Sequence, residues 1–150
     1  MRREGSRSPR SGRPSSRGTD ISQHDFPQAL VRLLGFEAIT EPEGEWICMT
    51  FVARDEHTHS DGSVVQGGLL AAWMDHAMAR AAAAAEPPCT VSSLEIKTAF
   101  LSRVGPGRHI VRARFAKRGR RVAFLEAEVR DRAGRVLASA TSTVLINQFT

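Results

Sequence analysis

A single acidic residue lies in the middle of a long apolar stretch that directly follows two glycines. The stretch, residues 69–85, is rich in Ala, Leu, Met and Trp, and it holds Asp75. Ala, Leu and Met are strong helix formers, and the prolines that follow stop a helix, so we predict one long helix here. Because an unpaired carboxylate on a buried helix is costly, Asp75 is a candidate for a chemical role.

The two glycines, Gly67 and Gly68, could supply a second part of such chemistry. Backbone N–H groups at the start of a helix have no partner within it, and they can polarise a carbonyl with help from the helix dipole. Glycine lets a ligand approach this backbone closely. Gly67 precedes Asp75 by eight residues, roughly 12 Å along a helix. Both cannot reach one carbonyl from the same helix, so a site that uses both must be shared by two subunits across a two-fold axis.

The residues around this helix predict strands. A short helix over residues 26–34, ending at Gly35, precedes strands over residues 35–40 and 46–52. Alternation of apolar and polar residues predicts four later antiparallel strands with one buried face, over residues 91–101, 109–117, 122–131 and 136–146. The predicted fold class is therefore α+β, with an antiparallel sheet wrapped around one long central helix.

The same alternation predicts the two faces of individual strands. In the first of the four, the apolar face holds Leu94, Ile96 and Phe100, and the polar face holds Ser93, Glu95 and Lys97. In the third, the apolar face holds Ala123, Leu125, Ala127 and Val129. A strand patterned in this way packs one face on the core.

Two segments carry a resemblance to a known family. Residues 63–78 resemble the signature of the phenylacetate-degradation (PaaI-like) acyl-CoA thioesterases, which have the hotdog fold. That signature has His or Gln before Gly-Gly, then small or apolar residues, then Leu or Met followed by Asp. The family's next landmark, a Thr or Ser opening a strand that ends Phe-Leu-Arg-Pro, is matched by Ser93 and by residues 100–103. The resemblance covers residues 26–148.

The resemblance implies hydrolysis of a medium-chain or aryl acyl-CoA thioester to the free acid and CoA, without a cofactor. Asp75 would activate water or attack directly, and these two routes stay open. Gly67 and Gly68 would polarise the carbonyl across a dimer interface. Gln66 stands where the family often has His; it can donate a hydrogen bond to the thioester or orient water, but it cannot act as a base. Ser93 matches a position that orients the water or the acid.

Substrate contacts follow from the resemblance as well. The family often has Asn at the position of Ser60, and His57, His59, Ser60 or Asp61 could take its role. Gly68 is predicted to approach the substrate through its backbone. Arginines are suited to the phosphates of CoA, although a solvated turn explains a basic hairpin equally well. The predicted substrate-binding set is Gly68, His59, Ser60, Arg103, Arg118 and Arg120.

Several alternatives accompany this hypothesis. A non-catalytic acyl-CoA-binding hotdog module is the rival from another class. A hotdog dehydratase is disfavoured, because its Asp and His are spaced D-x-x-x-x-H, whereas His76 directly follows Asp75. The pair formed by His57 and His59 fits a solvated loop better than a metal site, and no metal is predicted. The family further implies a homodimer that pairs into a homotetramer.

Charge and composition limit the remaining possibilities. Residues 1–20 hold six arginines and two acidic residues, whereas the rest of the chain has 15 basic and 14 acidic residues. The net charge of +5 therefore belongs mostly to a Ser/Gly/Pro/Arg-rich tail, predicted to be disordered over residues 1–24, and not to the domain over residues 25–150. This distribution argues against a nucleic-acid partner. No apolar run spans a bilayer, so no membrane partner is expected, and two cysteines favour a reducing cytoplasm.

Overall fold

A computed structural model describes residues 26–147, so the predicted tail over residues 1–24 lies outside the described residues. Two helices and eight strands follow one another along this part of the chain. They are α1 (Gln28–Leu34), β1 (Phe36–Ile39), β2 (Ile47–Ala53), β3 (Thr58–His59), β4 (Val64–Val65), α2 (Gly67–Ala83), β5 (Thr90–Phe100), β6 (Gly107–Arg118), β7 (Val122–Arg130) and β8 (Val136–Asn147), with a 3₁₀ turn at Asp55–His57. The predicted helices and the six predicted strands are confirmed.

Six of the strands form one antiparallel sheet in the order β1-β2-β6-β7-β8-β5, and β3 and β4 form a separate small hairpin. Helix α2 contacts β2, β5, β6, β7 and β8. The sheet therefore wraps around the long helix, which confirms the predicted α+β architecture. Within residues 26–147, no helix combines the length and apolar character needed to cross a membrane.

Burial of α2 organises the core. Ten residues of this helix are buried, and Trp73, Met74 and Met78 are almost completely enclosed. The Trp73 ring stacks on Phe51 with centroids 5.1 Å apart, and its indole N–H donates to the Leu34 carbonyl at 2.6 Å. This bond satisfies the one polar group of a side chain that is otherwise apolar. Each large apolar side chain buried here stabilises the fold by about 1.5–3 kcal/mol relative to an exposed one.

Helix α1 ends at a glycine that no other residue could replace without strain. Gly35 has a φ of 77°, and a Cβ on it would lie 2.2 Å from the Val52 carbonyl oxygen. The predicted glycine stop is thus confirmed, and its cause is the close approach of α1 to β2. This approach holds the C-terminal end of α1 against the core.

The predicted faces of the strand that became β5 are wrong for Ser93 and Leu94, because a bulge interrupts the alternation, whereas Ile96 packs against the core as predicted. Ser93 pairs with Val144, whereas Glu95 pairs with the adjacent residue Thr143, so β5 has one extra residue at Leu94. A one-residue insertion moves a side chain to the other face of a sheet. Ser93 therefore faces α2, and Leu94 has 58% of its surface exposed. The alternation predicted for the third strand holds in β7, where the four apolar residues are buried.

His76 is a packed histidine between Phe26 and the strands β1 and β2. Its ring lies against three phenylalanine rings, and the nearest centroid, that of Phe26, is 4.5 Å away. The Arg80 Nε–H donates to His76 Nε2 at 2.7 Å, which places the imidazole proton on Nδ1. Burial, together with the charge of Arg80, lowers the pKa of His76 to about 4. The imidazole is therefore neutral in the folded protein over most of the physiological pH range.

This burial predicts a loss of stability in mild acid. Between pH 6.5 and 4 the unfolded chain binds a proton at His76 that the folded chain does not bind. Stability from this group is complete above pH 6.5 and falls as the pH drops, by at most about 1.4 kcal/mol per pH unit. Urea unfolding across this range should show a smaller pH dependence in His76→Gln than in the wild type. Parallel pH profiles would contradict this assignment.

Candidate active site

Asp75 and Ser93, two residues of the candidate site, contact each other directly. The Ser93 hydroxyl on β5 donates to Asp75 Oδ1 on α2 at 2.9 Å. Among the ion pairs of residues 26–147, none includes Asp75, which is half-buried. Two predicted site residues are thus in direct contact. A carboxylate held by one neutral donor keeps most of its acceptor capacity for water or substrate.

Gln66 caps the N-terminus of α2. Its side-chain Oε1 accepts from the Leu69 N–H at 3.1 Å. The oxygen of this amide is thereby engaged, whereas its NH₂ group makes no hydrogen bond to the described residues and can donate to a ligand. Gly68 is restricted by the same cap, because a Cβ there would lie 2.7 Å from Gln66 Oε1.

Gly67 lines a groove of about 500 Å³, here called the glycine groove. The Phe100 ring covers Gly67 so closely that a Cβ on the glycine would lie 3.1 Å from Phe100 Cζ. The groove brings together three predicted site residues, His59, Gly67 and Arg103. Its lining is His59, Val64, Val65, Gly67, Leu70, Phe100, Leu101, Ser102, Arg103 and Val104. Asp75 and Ser93 are not part of this lining.

Two of the four polar residues of the loop before Gln66 that could contact the substrate, His57 and Asp61, are engaged by other groups of the protein. His57 is buried; its Nε2–H donates to the Leu33 carbonyl at 2.7 Å, and its Nδ1 accepts from the Arg54 N–H at 2.9 Å. His57 therefore holds the loop to α1 and does not line the glycine groove. The Asp61 carboxylate accepts from the N–H and hydroxyl of Ser63, which lower the pKa of Asp61.

His59 and Ser60 remain as the polar residues of the loop that are available to a ligand. His59 Nδ1 and Ser60 Oγ are 2.9 Å apart and share a hydrogen bond. Ser60 has a φ of 59°, which is unusual for a residue other than glycine. Strained backbone of this kind is commonly found at functional sites.

Arg118 and Arg120 lie elsewhere, in a second groove of about 940 Å³, here called the proline groove. It is larger than the glycine groove, but none of Asp75, Gly67 and Ser93 lines it. The Arg118 guanidinium donates to the Pro87 carbonyl at 2.7 Å. The lining is Glu86, Pro87, Pro88, Cys89, Arg118, Gly119, Arg120 and Ile146. Within one chain, then, these two arginines are not grouped with Arg103.

Some residues of the site were not expected from the sequence. Phe100 was expected only as part of a strand and as the start of the family's Phe-Leu-Arg-Pro landmark, yet its ring covers Gly67. Cys89 lines the proline groove but is buried, and its Sγ–H lies 3.7 Å from the Ala82 carbonyl, as expected for a packed thiol. Within residues 26–147, no three His, Cys, Asp or Glu residues are arranged to hold a metal ion.

Comparison with known protein families identifies the family to which the chain belongs. The model of the Thioesterase superfamily matches residues 62–138, just over half of the chain, and this range includes Gly67, Asp75 and Ser93. The chain belongs to the thioesterase superfamily. It is a thioester hydrolase with a hotdog fold, as predicted. Family membership thus favours an enzyme over a non-catalytic binding module.

Solved structures agree with this assignment. A phenylacetic acid degradation-related protein from Ralstonia eutropha is 29% identical, with a TM-score of 0.71 over 83% of this chain and 95% of that one. A Thermus thermophilus protein is 25% identical, with a TM-score of 0.67 over 80% of this chain and 98% of that one. A Haemophilus influenzae thioesterase at 23% identity shares the fold, with a TM-score of 0.70 over 79% of this chain and 82% of that one. No functionally curated protein sequence matches significantly.

The capping role of Gln66 predicts a change in stability. Gln66→Ala removes the acceptor for the Leu69 N–H and should lower the free energy of unfolding by about 1 kcal/mol. Gln66→Asn keeps a capping oxygen and serves as the control. Urea unfolding at one fixed protein concentration measures the difference, and equal stability of the Ala variant and the wild type would rule out the cap.

Proposed function

We propose that this thioesterase hydrolyses a medium-chain or aryl acyl-CoA to the free acid and CoA. The single observation that carries the proposal is the hydrogen bond from Ser93 to Asp75, 2.9 Å long, next to the helix that begins with Gly67 and Gly68. A half-buried carboxylate, a hydroxyl that orients it and free N–H groups at a helix start are the groups that thioester hydrolysis requires.

Asp75 acts on the thioester by one of two routes. As a general base, it takes a proton from water, and the hydroxide attacks the carbonyl. As a nucleophile, it forms an anhydride that water then cleaves. In both routes the C–S bond breaks and the CoA thiolate leaves with the electron pair. Ser93 occupies Oδ1 and thereby directs Oδ2 toward the reacting atom.

The carbonyl oxygen is polarised by the N–H groups of Gly67 and Gly68 from the other subunit of a dimer. Asp75 lies about 12 Å along α2 from Gly67 of its own chain, too far for one carbonyl to contact both. A two-fold arrangement solves this problem, because each site then uses Gly67 of one helix and Asp75 of its partner. The NH₂ group of Gln66, whose oxygen caps the helix, donates to the same oxygen.

The edge of the sheet supports such a dimer. Strand β5 is an edge strand of 11 residues, and most of its residues are exposed. Leu94, Phe100 and the following Leu101 have between 54% and 60% of their surface exposed. A long apolar edge invites pairing with another strand. Pairing with β5 of a second copy would cover these side chains next to the site, and two such dimers form the proposed tetramer.

The two grooves divide the substrate between them. Apolar side chains of the glycine groove, among them Val65, Leu70 and Phe100, suit the acyl group. His59 and Arg103 in the same groove, together with Ser60, which is bonded to His59, contact polar atoms of the substrate near the thioester. The relation to a phenylacetic acid degradation-related protein supports an aryl group. Arg118 and Arg120 in the proline groove bind the phosphates of CoA.

The distance between Ser93 and the proline groove suits this division. Cys89 and Pro88, which line that groove, directly precede β5. From Thr90 to Ser93 the strand rises about 10 Å. An extended pantetheine arm is long enough to connect a thioester at Asp75 with phosphates at Arg118.

Turnover of acyl-CoA esters tests the proposal. The wild type should release CoA, detected with a thiol reagent, from medium-chain or aryl esters. Asp75→Asn should lower kcat by roughly 10²- to 10⁴-fold, the usual contribution of a general base, while binding of the ester by calorimetry is retained. Asp131→Asn, in the turn between β7 and β8 and outside the lining of both grooves, is the control. Wild-type activity in Asp75→Asn would refute its role, and inactivity of the wild type on every ester would refute the substrate class.

A further inference from the structure

The bulge in β5 is held on the outer face of the sheet by Glu95. The Thr143 N–H donates to Glu95 Oε1 at 3.0 Å, and the Thr143 hydroxyl donates to the same oxygen at 2.8 Å. A bulge disrupts the regular ladder between two strands and leaves backbone groups without their usual partners. The Glu95 carboxylate thus supplies an acceptor for a β8 N–H group at the point where the register shifts.

A second contact holds the bulge from the inner face. The Ser142 hydroxyl donates to the Glu95 carbonyl at 2.8 Å, and Ser142 is 2% exposed. Because a buried hydroxyl needs a partner, this bond fixes Glu95 relative to β8. Both the side chain and the backbone of Glu95 are therefore bonded to adjacent residues of β8, Ser142 and Thr143.

We infer that Glu95 is a positioning residue of the thioesterase site, acting through Ser93. Only with the bulge does Ser93 face α2 and reach Asp75, since a regular strand would place Ser93 on the outer face together with Glu95. Glu95 lies two positions beyond Ser93, and its bonds to β8 hold the strand in the shifted register. Its carboxylate contacts no reacting group. It acts by stabilising the bulge that turns the Ser93 hydroxyl toward Asp75.

This inference rests on the proposed function, in which Asp75 and Ser93 act together, and it gives Glu95 a role that the proposed function does not include. Other glutamates on the outer face, such as Glu126, bind arginines on a neighbouring strand. Glu95 instead accepts from backbone and side chain of Thr143. The amide oxygen of Gln could accept both bonds, so Glu95→Gln should preserve the bulge and Glu95→Ala should release it.

Kinetics of a double-mutant cycle test the inference. Glu95→Ala and Ser93→Ala should each lower kcat roughly 10- to 100-fold, the contribution of one hydrogen bond to a charged group, with KM for the acyl-CoA little changed. The double variant should be no slower than Ser93→Ala, because Glu95 acts through Ser93. Glu95→Gln should retain wild-type kcat, and so should the control Glu126→Ala. Additive effects in the double variant, or a slow Glu95→Gln, would overturn the inference.

A crystal structure of Glu95→Ala separates this inference from the proposed function. The inference predicts a hydroxyl of Ser93 that no longer bonds to Asp75, together with faster hydrogen exchange of the Thr143 amide. An intact Ser93–Asp75 bond in that structure would overturn the inference even if the wild type hydrolysed no ester. Conversely, loss of that bond in Glu95→Ala, together with a wild type that hydrolyses no ester, would show that Glu95 positions Ser93 while refuting the proposed function.

Discussion

Burial of α2 inside a curved antiparallel sheet is the constraint on which the rest of the structure depends. A helix that is apolar on nearly every side gains stability only when other elements enclose it. Five strands contact α2, and α1 closes the remaining side through Trp73 and Gly35. An acidic residue can remain on such a helix only at a place where the enclosure is incomplete. Asp75 occupies that place, so the half-buried position that the fold leaves for an acid is the one at which we propose the chemistry.

The enclosure also explains why a local irregularity matters. Regular alternation in β5 would bury apolar side chains on the inner face and leave Ser93 outside. One extra residue at Leu94 turns Leu94 outward and Ser93 inward, which supplies Asp75 with a donor and interrupts the regular pairing with β8. At the bulge, hydrogen bonds from the Ser142 hydroxyl to the Glu95 carbonyl and from the Thr143 N–H to the Glu95 carboxylate replace the regular backbone pairing. The sheet thus combines a regular core, which fixes α2, with an irregular edge, which orients the acid.

Most of the fold could be predicted from the sequence because it follows from periodic patterns. The apolar run of α2, the glycine stop of α1 and the alternation in β7 are local signals of this kind. The faces of β5 could not be predicted in this way, because a bulge depends on contacts with β8 that are distant in the chain. The contact between Asp75 and Ser93 was expected from family resemblance. The sequence did not predict that Arg103 lies in a different groove from Arg118 and Arg120, because this separation depends on how distant segments pack.

A site shared between two subunits is the central claim, and mixing two inactive variants tests it most directly. Gly67→Val should block approach to the backbone N–H groups, and Asp75→Asn should remove the base, so each variant alone should be inactive. After subunit exchange, half of the dimers are mixed and each contains one site with both native residues. If the site is shared, about a quarter of wild-type activity should be recovered. No recovery from fully exchanged mixtures would contradict a shared site.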